Sequence, residues 1–269
     1  MKHVGLILGC CLTGLSVLGA LLSFVWLPYD PNASDWAAQL SGPTRAHLLG
    51  TDELGRDLLS RLLVGARSAL YVGLIAVSVA LSLGCTLGAL AGYAGGWWDE
   101  VLMRLVDTLY AFPAILMALL LAAIFDPGTL SAVVAIGLAT VPIFARLMRS
   151  SVLSLKPLPF VEAARAQGAS SGRTLFRHIL PNTLGPITVQ ASLSLAVAML
   201  AEAALSYLGL GAPPDVPSWG NMLREAQGFL RLSLYPALVP GLAIMLSVLG
   251  WSLIGDGLRD VLDPRRRFD

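Results

Sequence analysis

Six stretches of this chain are each long and apolar enough to cross a lipid bilayer, and nothing else in the sequence constrains the fold as strongly. The hydrocarbon core of a bilayer is about 30 Å thick, so a crossing helix needs roughly 20 apolar residues. The stretches are Val4 to Leu27, Ala69 to Gly92, Val101 to Ile124, Leu130 to Met148, Ile187 to Leu208 and Ala237 to Ile254. Hydrophobic residues make up 56% and charged residues 13% of the 269 positions. Soluble domains run near 45–50% and 25%. The expectation is an all-α integral membrane protein with six transmembrane helices.

The first stretch is read as a retained span. Its apolar run exceeds the 7 to 15 residues of a signal-peptide core, and it ends in Trp26-Leu27-Pro28 without a small-residue cleavage site. The "ILGC" before Cys10 is similar to a lipoprotein cleavage box but follows Met1 too closely. Cys10, Cys11 and Cys85 all lie in expected spans, where cysteine behaves as a small hydrophobe, and form no disulfide or metal spacing. A net charge of +1 argues against a nucleic-acid partner.

Orientation follows from Lys and Arg, which are in excess on cytoplasmic sides. With the N-terminus inside, 12 of the 18 fall on the cytoplasmic side and 6 (Arg45, Arg56, Arg61, Arg67, Arg224, Arg231) on the other. Both termini are expected in the cytoplasm, as is the loop after span four. Two outer segments are long: Pro28 to Arg67 and Gly209 to Pro236. In "DELGRDLLSRLLVGA" the leucines at 54, 58, 59, 62 and 63 recur at helical spacing, Asp52 and Glu53 would open the helix, and Asp57 precedes Arg61 by four. A helix lying at the outer interface fits. It either anchors the entry to span two or forms part of a docking surface for an external partner, with Asp52, Arg56, Asp57 and Trp219 as candidate contacts. In the second segment a proline-rich turn precedes a short helix starting near Ser218, a good N-cap. The expected division is 1–67, an N-terminal helix with an external interfacial segment, and 68–269, a five-helix core.

Out of character for so apolar a chain is "FVEAARAQGASSGRTLFRHILPN", Phe160 to Asn182. Pro159 is placed to open a helix that stops at Gly168, where a left-handed conformation is easily taken. Ser170 or Ser171 can cap a second helix that ends before Pro181. On the second, Leu175, Phe176, Ile179 and Leu180 make an apolar stripe while Arg173 and Arg177 share the other face. On the first, Ala163, Ala164 and Ala166 keep the surface slim. Such a hairpin either lies on the membrane face or enters a groove on another protein.

The stretch resembles the EAA signature of ABC importer permeases: Glu162-Ala163-Ala164, Gly168 four residues after the triplet, then His178-Ile179-Leu180-Pro181. His178 departs from the general pattern's apolar residue, but "RHILPN" is similar to the dipeptide, oligopeptide and nickel permease branch. "LGTDELGRDLLSRLLVGARSAL" from Leu49, "AEAALSYLGLG" from Ala201, "PSWGNML" from Pro217 and "GDGLRDVLDPR" from Gly255 match the same branch in the right order. Within it the chain resembles the C-type subunit.

What the resemblance implies is a type I importer permease fold with a cytoplasmic coupling segment, 156–182. It also implies a second homologous permease subunit, two cytoplasmic ABC ATPases, an external substrate-binding protein, and a place in the bacterial inner membrane among its lipids. Glu162, Ala163, Ala164, Gly168, His178, Leu180 and Pro181 would form the coupling helices against an ATPase. No G-x-x-x-x-G-K-[ST] loop occurs in this chain, so ATP and Mg are expected on the partners, and no cofactor, metal or catalytic residue is expected here.

Ionisable residues inside a membrane are costly and need partners or a watery path. Asp107 lies three after Arg104, which predicts a local ion pair. Glu202 has no basic neighbour in its own helix and either lines the translocation path or bonds to the partner permease. Pro113 and Pro142 would kink their spans, as packing geometry or as hinges. Gly84, Gly88, Gly92 and Gly96 form a face expected to pack tightly against another helix. The competing reading is a stand-alone secondary transporter or channel, which often shows inverted repeats; none is seen here. A membrane enzyme is disfavoured by the dispersal of His3, His47 and His178. Small peptides, nickel and metal chelates remain open as cargo. The short segment before span one and "WLPYDP" resemble nickel-type members somewhat more than oligopeptide members.

Overall fold

The structure is a computed structural model, and residues 4–262 are described; His3 and four of the 12 basic residues assigned to the cytoplasmic side, Lys2, Arg265, Arg266 and Arg267, lie outside them. The chain runs through α1 (Val4–Val25), α2 (Leu58–Ala94), α3 (Gly96–Ala111), α4 (Ala114–Phe125), α5 (Thr129–Leu155), α6 (Pro159–Ala166), α7 (Ser171–Arg173), α8 (Leu180–Tyr207), α9 (Trp219–Ala226) and α10 (Tyr235–Leu262). Among the described residues the one β-type pairing is an isolated bridge between Thr51 and Asp57.

Five helical segments are long and apolar enough to cross a membrane: α1, α2, Ser171–Tyr207, α5 and α10. The sixth expected span is a broken one. α3 and α4 meet at 87° across Phe112 and Pro113. Pro113 has no N–H to give and caps α4 in extended geometry, so the kink expected there is a full corner. By contrast α5 continues through Pro142 to Leu155.

The centre of the fold is the parallel pair of α2 and α5, and glycine sets its closeness. A Cβ on Gly84 would stand 2.6 Å from the Val141 carbonyl oxygen, one on Gly88 would strike the Ala145 carbonyl, and one on Gly92 would stand 3.0 Å from that of Arg149. Backbones in direct contact gain dispersion that lipid tails cannot supply. Gly96 leaves the stripe, because α2 ends at Ala94 and Gly95, at φ +70°, turns the chain away. Val72, Phe144, Met148 and Val152 fill this core, with Val161 and Ile179 of the polar segment beneath them.

Two expected boundaries move. Leu58 to Arg67 is no separate interfacial helix, since α2 runs unbroken from Leu58. Its amphipathic first turns are covered by protein and need no membrane surface: Leu58, Arg61 and Val64 are buried. Nor does the second polar helix end before Pro181. It passes through a π turn, Thr174–Ile179, into α8. In an α-helix the ring of Pro181 would press on the carbonyl four residues back; widening to the bond from the Leu180 N–H to the Leu175 carbonyl makes room.

Candidate coupling hairpin and outer cap

The chain after α5 turns through Lys156 and Pro157, and α6 opens at Pro159, the first-turn position where a missing N–H costs nothing. The Gly168 N–H bonds to the Arg165 carbonyl at 2.9 Å and the Ala169 N–H to the Ala164 carbonyl at 3.0 Å. These close the helix around Gly168 at φ +83°. The Ser170 hydroxyl accepts the Arg173 N–H at 3.4 Å, so of the two candidate caps it is Ser170 that serves. Helix, glycine turn and second helical segment therefore stand as expected.

Inward, Val161, Ala164, Leu175 and Ile179 are buried. Outward, Glu162, Ala163, Arg165, Ala166 and Gly168 are exposed, and a Cβ at Gly168 would meet nothing within 4 Å. Phe176 departs from the expected stripe: the wider π turn carries it out of register with Leu175 and Ile179, and it stands 71% exposed. His178 and Leu180 are half-buried and Pro181 is exposed. The His178 carbonyl accepts the Asn182 side-chain amide at 2.7 Å.

Three basic contacts tie the hairpin to the bundle. The Lys156 ammonium donates to the Tyr93 carbonyl at 2.8 Å and lies 5.5 Å from the Tyr93 ring centroid, and the Arg165 guanidinium lies 5.7 Å from the same ring. Above them Arg149 grips Asp99 of α3 with two bonds of 2.6 Å. Asp107 pairs with Arg146 of α5 at 2.8 Å, while Arg104 turns to Glu100 at 3.2 Å. The expected local pair with Arg104 is thus replaced by one across helices. Arg146 also stacks on Tyr110 at 4.2 Å, which fixes it beside Asp107.

At the opposite end of α2, residues 28–57 fold into a cap. Asp57 caps α2, its Oδ2 accepting the Ser60 N–H at 2.8 Å, while its Oδ1 meets His47 Nδ1 at 3.0 Å. Asp52 Oδ1 accepts the backbone N–H groups of Leu54 and Arg56, both at 2.9 Å, and its Oδ2 takes Arg56 Nε at 2.6 Å. Arg56 and Arg61 both donate to Glu225 Oε2 of α9 at 2.7 Å. Gly55 must remain glycine, because at φ +74° its Cβ would strike the Asp35 carbonyl. Burial pushes the Glu53 carboxyl up from its ordinary range, with Asp52 and Glu225 adding to the effect.

Asp52, Arg56, Asp57 and Trp219 are all buried, Trp219 with its indole N–H donating to the Leu62 carbonyl at 3.0 Å. They build the cap from within and do not present themselves for docking. The sequence reading did not single out Glu225 or Asn221, whose side-chain amide holds the Ala212 and Pro213 carbonyls at 3.0 and 3.1 Å. The one signal available was a polar face on a helix of eight residues. Glu202 is 1% exposed; Ser206 donates to its Oε1 at 2.9 Å and accepts the Ala212 N–H at 3.0 Å. In this conformation Glu202 is buried within the chain and holds the turn after α8.

The chain matches the family model described as binding-protein-dependent transport system inner membrane component over residues 84–268. A dipeptide transport system permease protein, DppC, of Alkalihalophilus pseudofirmus is 49% identical over 85% of this chain and 75% of its own length. A glutathione transport system permease protein, GsiD, of Pectobacterium atrosepticum is 45% identical over 94% of this chain and 85% of its own. Among solved structures, a chain of the MetNI methionine ABC transporter in an inward-facing conformation superposes with a TM-score of 0.64 at 17% identity, covering 76% of this chain and 96% of that one, which shows the fold alone. The chain belongs to the binding-protein-dependent transport system inner membrane components and is a permease subunit of an ATP-driven ABC importer.

Proposed function

We propose that this permease forms half of a translocation path for small peptides, paired with a second homologous permease, driven by two cytoplasmic ATPases that bind ATP and Mg, and loaded by an external binding protein. The observation that carries the coupling role is the hairpin of α6 and Gly168. It is anchored on one face by Val161, Leu175 and Ile179 and open on the other, where Glu162, Ala163 and Ala166 offer a slim surface for a cleft. The basic residues Arg146, Arg149, Lys156, Arg165, Arg173 and Arg177 gather around it. By contrast 6 of the 18 Lys and Arg, Arg56 and Arg61 among them, fall on the outer side. That bias supports a cytoplasmic hairpin and cytoplasmic termini in a bacterial inner membrane.

The relatives' names favour a small peptide over nickel or a metal chelate. The test is uptake by the full complex in proteoliposomes loaded with ATP and supplied with binding protein, offered labelled dipeptide, glutathione or nickel. ATP-dependent peptide accumulation is expected. Nickel accumulation without peptide uptake would overturn the cargo, and ATP-independent uptake would overturn the coupling.

A further inference from the structure

The broken span of α3 and α4 carries two features that hydrocarbon does not tolerate. The first is its corner. At Phe112 and Pro113 the helix turns by 87°, and both residues are exposed. α4 leads from that corner to the short turn before α5 and has only 12 residues, about 18 Å at 1.5 Å each. The corner therefore lies near the middle of a bilayer that measures about 40 Å with its headgroup zones. Irregular backbone at such depth occurs where it is buried in protein or lines water, because lipid satisfies none of its polar groups.

The second feature is exposed charge. On α3, Glu100, Arg104, Asp107, Thr108 and Ala111 recur at helical spacing and form one exposed face. Arg104 pairs with Glu100 at 3.2 Å. Asp107 pairs with Arg146 of α5 at 2.8 Å, and the two side chains remain 63% and 45% exposed. α5, with 27 residues, is itself about 40 Å long, and Arg146 stands nine residues before its last, Leu155. That is about 13 Å of depth, against roughly 5–7 Å of headgroups on one side. Nor does the side chain reach back toward the surface: its guanidinium stacks at 4.2 Å on Tyr110, three residues nearer the corner than Asp107. Ionisable groups at membrane depth face a bundle interior or a watery cavity.

We propose that this face of α3, with Arg146 and the corner at Phe112, lines the inner half of the water-filled translocation path, and that Asp107 and Arg146 form a passing site for the ammonium and carboxylate ends of a small peptide. The inference rests on the peptide-importer reading above. Each of the two charges complements one end of a zwitterion. Between cargoes they neutralise each other, as Arg104 and Glu100 do, so the face keeps no net charge to trap an ion. A peptide exchanges one such pair for two of the same kind. The exchange changes little in free energy, as a site that passes its cargo onward requires.

The test uses the full complex in bilayer discs, with Cys10→Ala, Cys11→Ala and Cys85→Ala as background and Thr108→Cys added. The Thr108 hydroxyl bonds only within α3, to the Arg104 carbonyl at 2.8 Å, so its loss removes no contact to another helix. A thiol in apolar surroundings stays protonated and inert, so a water-soluble methanethiosulfonate is expected to label Thr108→Cys about tenfold faster than Leu116→Cys on the exposed face of α4. Millimolar dipeptide should slow that labelling severalfold, and the same dipeptide N-acetylated and C-amidated should not. Asp107→Asn or Arg146→Gln should abolish the protection. Ala111→Cys, on the same face, takes the place of Thr108→Cys if that variant fails to assemble. Labelling as slow as at Leu116→Cys would overturn the proposal by placing lipid or the second permease over this face. Protection that survives both charge variants, or that the blocked peptide gives equally, would also overturn it. Peptide uptake by the wild-type complex is read alongside: uptake without protection overturns this site alone, and no uptake overturns the importer cargo on which it rests.

Discussion

Gly168 separates two reasons why a hairpin turn should be glycine, and a three-variant series tells them apart. Its Cβ position is empty to 4 Å, so no steric neighbour forbids a side chain within this chain. Its φ of +83° does. For an L-residue the left-handed region costs about 1–2 kcal/mol, more for a β-branched one, and Asn visits it with little penalty. If the turn of Gly168→Val relaxes to negative φ, the competent hairpin falls by about 5–30-fold in population, and coupled transport falls with it. Gly168→Asn, with a side chain of similar bulk in the same empty space, should retain most activity, and Gly168→Ala should lie between. The assay is the initial rate of peptide uptake together with peptide-stimulated ATP hydrolysis in proteoliposomes, normalised to assembled complex by size exclusion. Assembly should be intact for all three, because Gly168 supports no core contact. Unchanged uptake and hydrolysis in Gly168→Val would remove the coupling role from this hairpin. Asn failing as badly as Val would instead show that bulk against the ATPase, and not backbone conformation, decides.

Three further outcomes follow from packing and charge. Gly88→Leu should prevent or cripple assembly, because its first carbon would already strike the Ala145 carbonyl and overpacking costs typically about 1–3 kcal/mol; fluorescence-detected size exclusion reads this, and a wild-type profile would refute a close α2 to α5 contact. Glu225→Gln removes the nearer of the two carboxylates from Arg61, 1% exposed, leaving Asp52 Oδ2 at 3.5 Å, and should cost about 3 kcal/mol, while Arg61→Met with Glu225→Leu recovers most of it; equal melting temperatures of the two variants would refute the buried-pair argument. Glu53, raised by burial, binds its proton more tightly folded than unfolded, so its contribution to stability is present below the ordinary glutamate range and is lost as pH rises through the folded pKa. Glu53→Gln should therefore raise the melting temperature at pH 7.5 and lose that advantage by pH 4, and a pH-independent difference would contradict the burial account.

What the sequence disclosed and what it hid divide along one physical line, the range of the interaction. Spans were legible because a run of about 20 apolar residues is a local property, and the hairpin was legible because Pro159, Gly168 and Ser170 act on their own backbone. Pairings across helices were not. Arg104 and Asp107 sit at a spacing that permits a local bond, yet Asp107 finds Arg146, 39 residues on, already stacked on Tyr110. The first turns of α2 look like an interfacial helix for the same reason. Amphipathicity states that one face wants covering and leaves open whether lipid or protein covers it, and here α9 brings Trp219 onto the Leu62 carbonyl and Glu225 onto Arg61. The docking candidates were chosen for their charge and aromatic character, the same properties by which the cap holds itself together. A buried ion cluster and an exposed recognition surface draw on one residue vocabulary, and only burial distinguishes them. The exposed face of this cap carries Trp36, at 69% exposure, and Leu48, at 60%. An external partner that touches the cap in this conformation meets exposed side chains such as these, while Asp52, Arg56, Asp57 and Trp219 lie buried behind the surface.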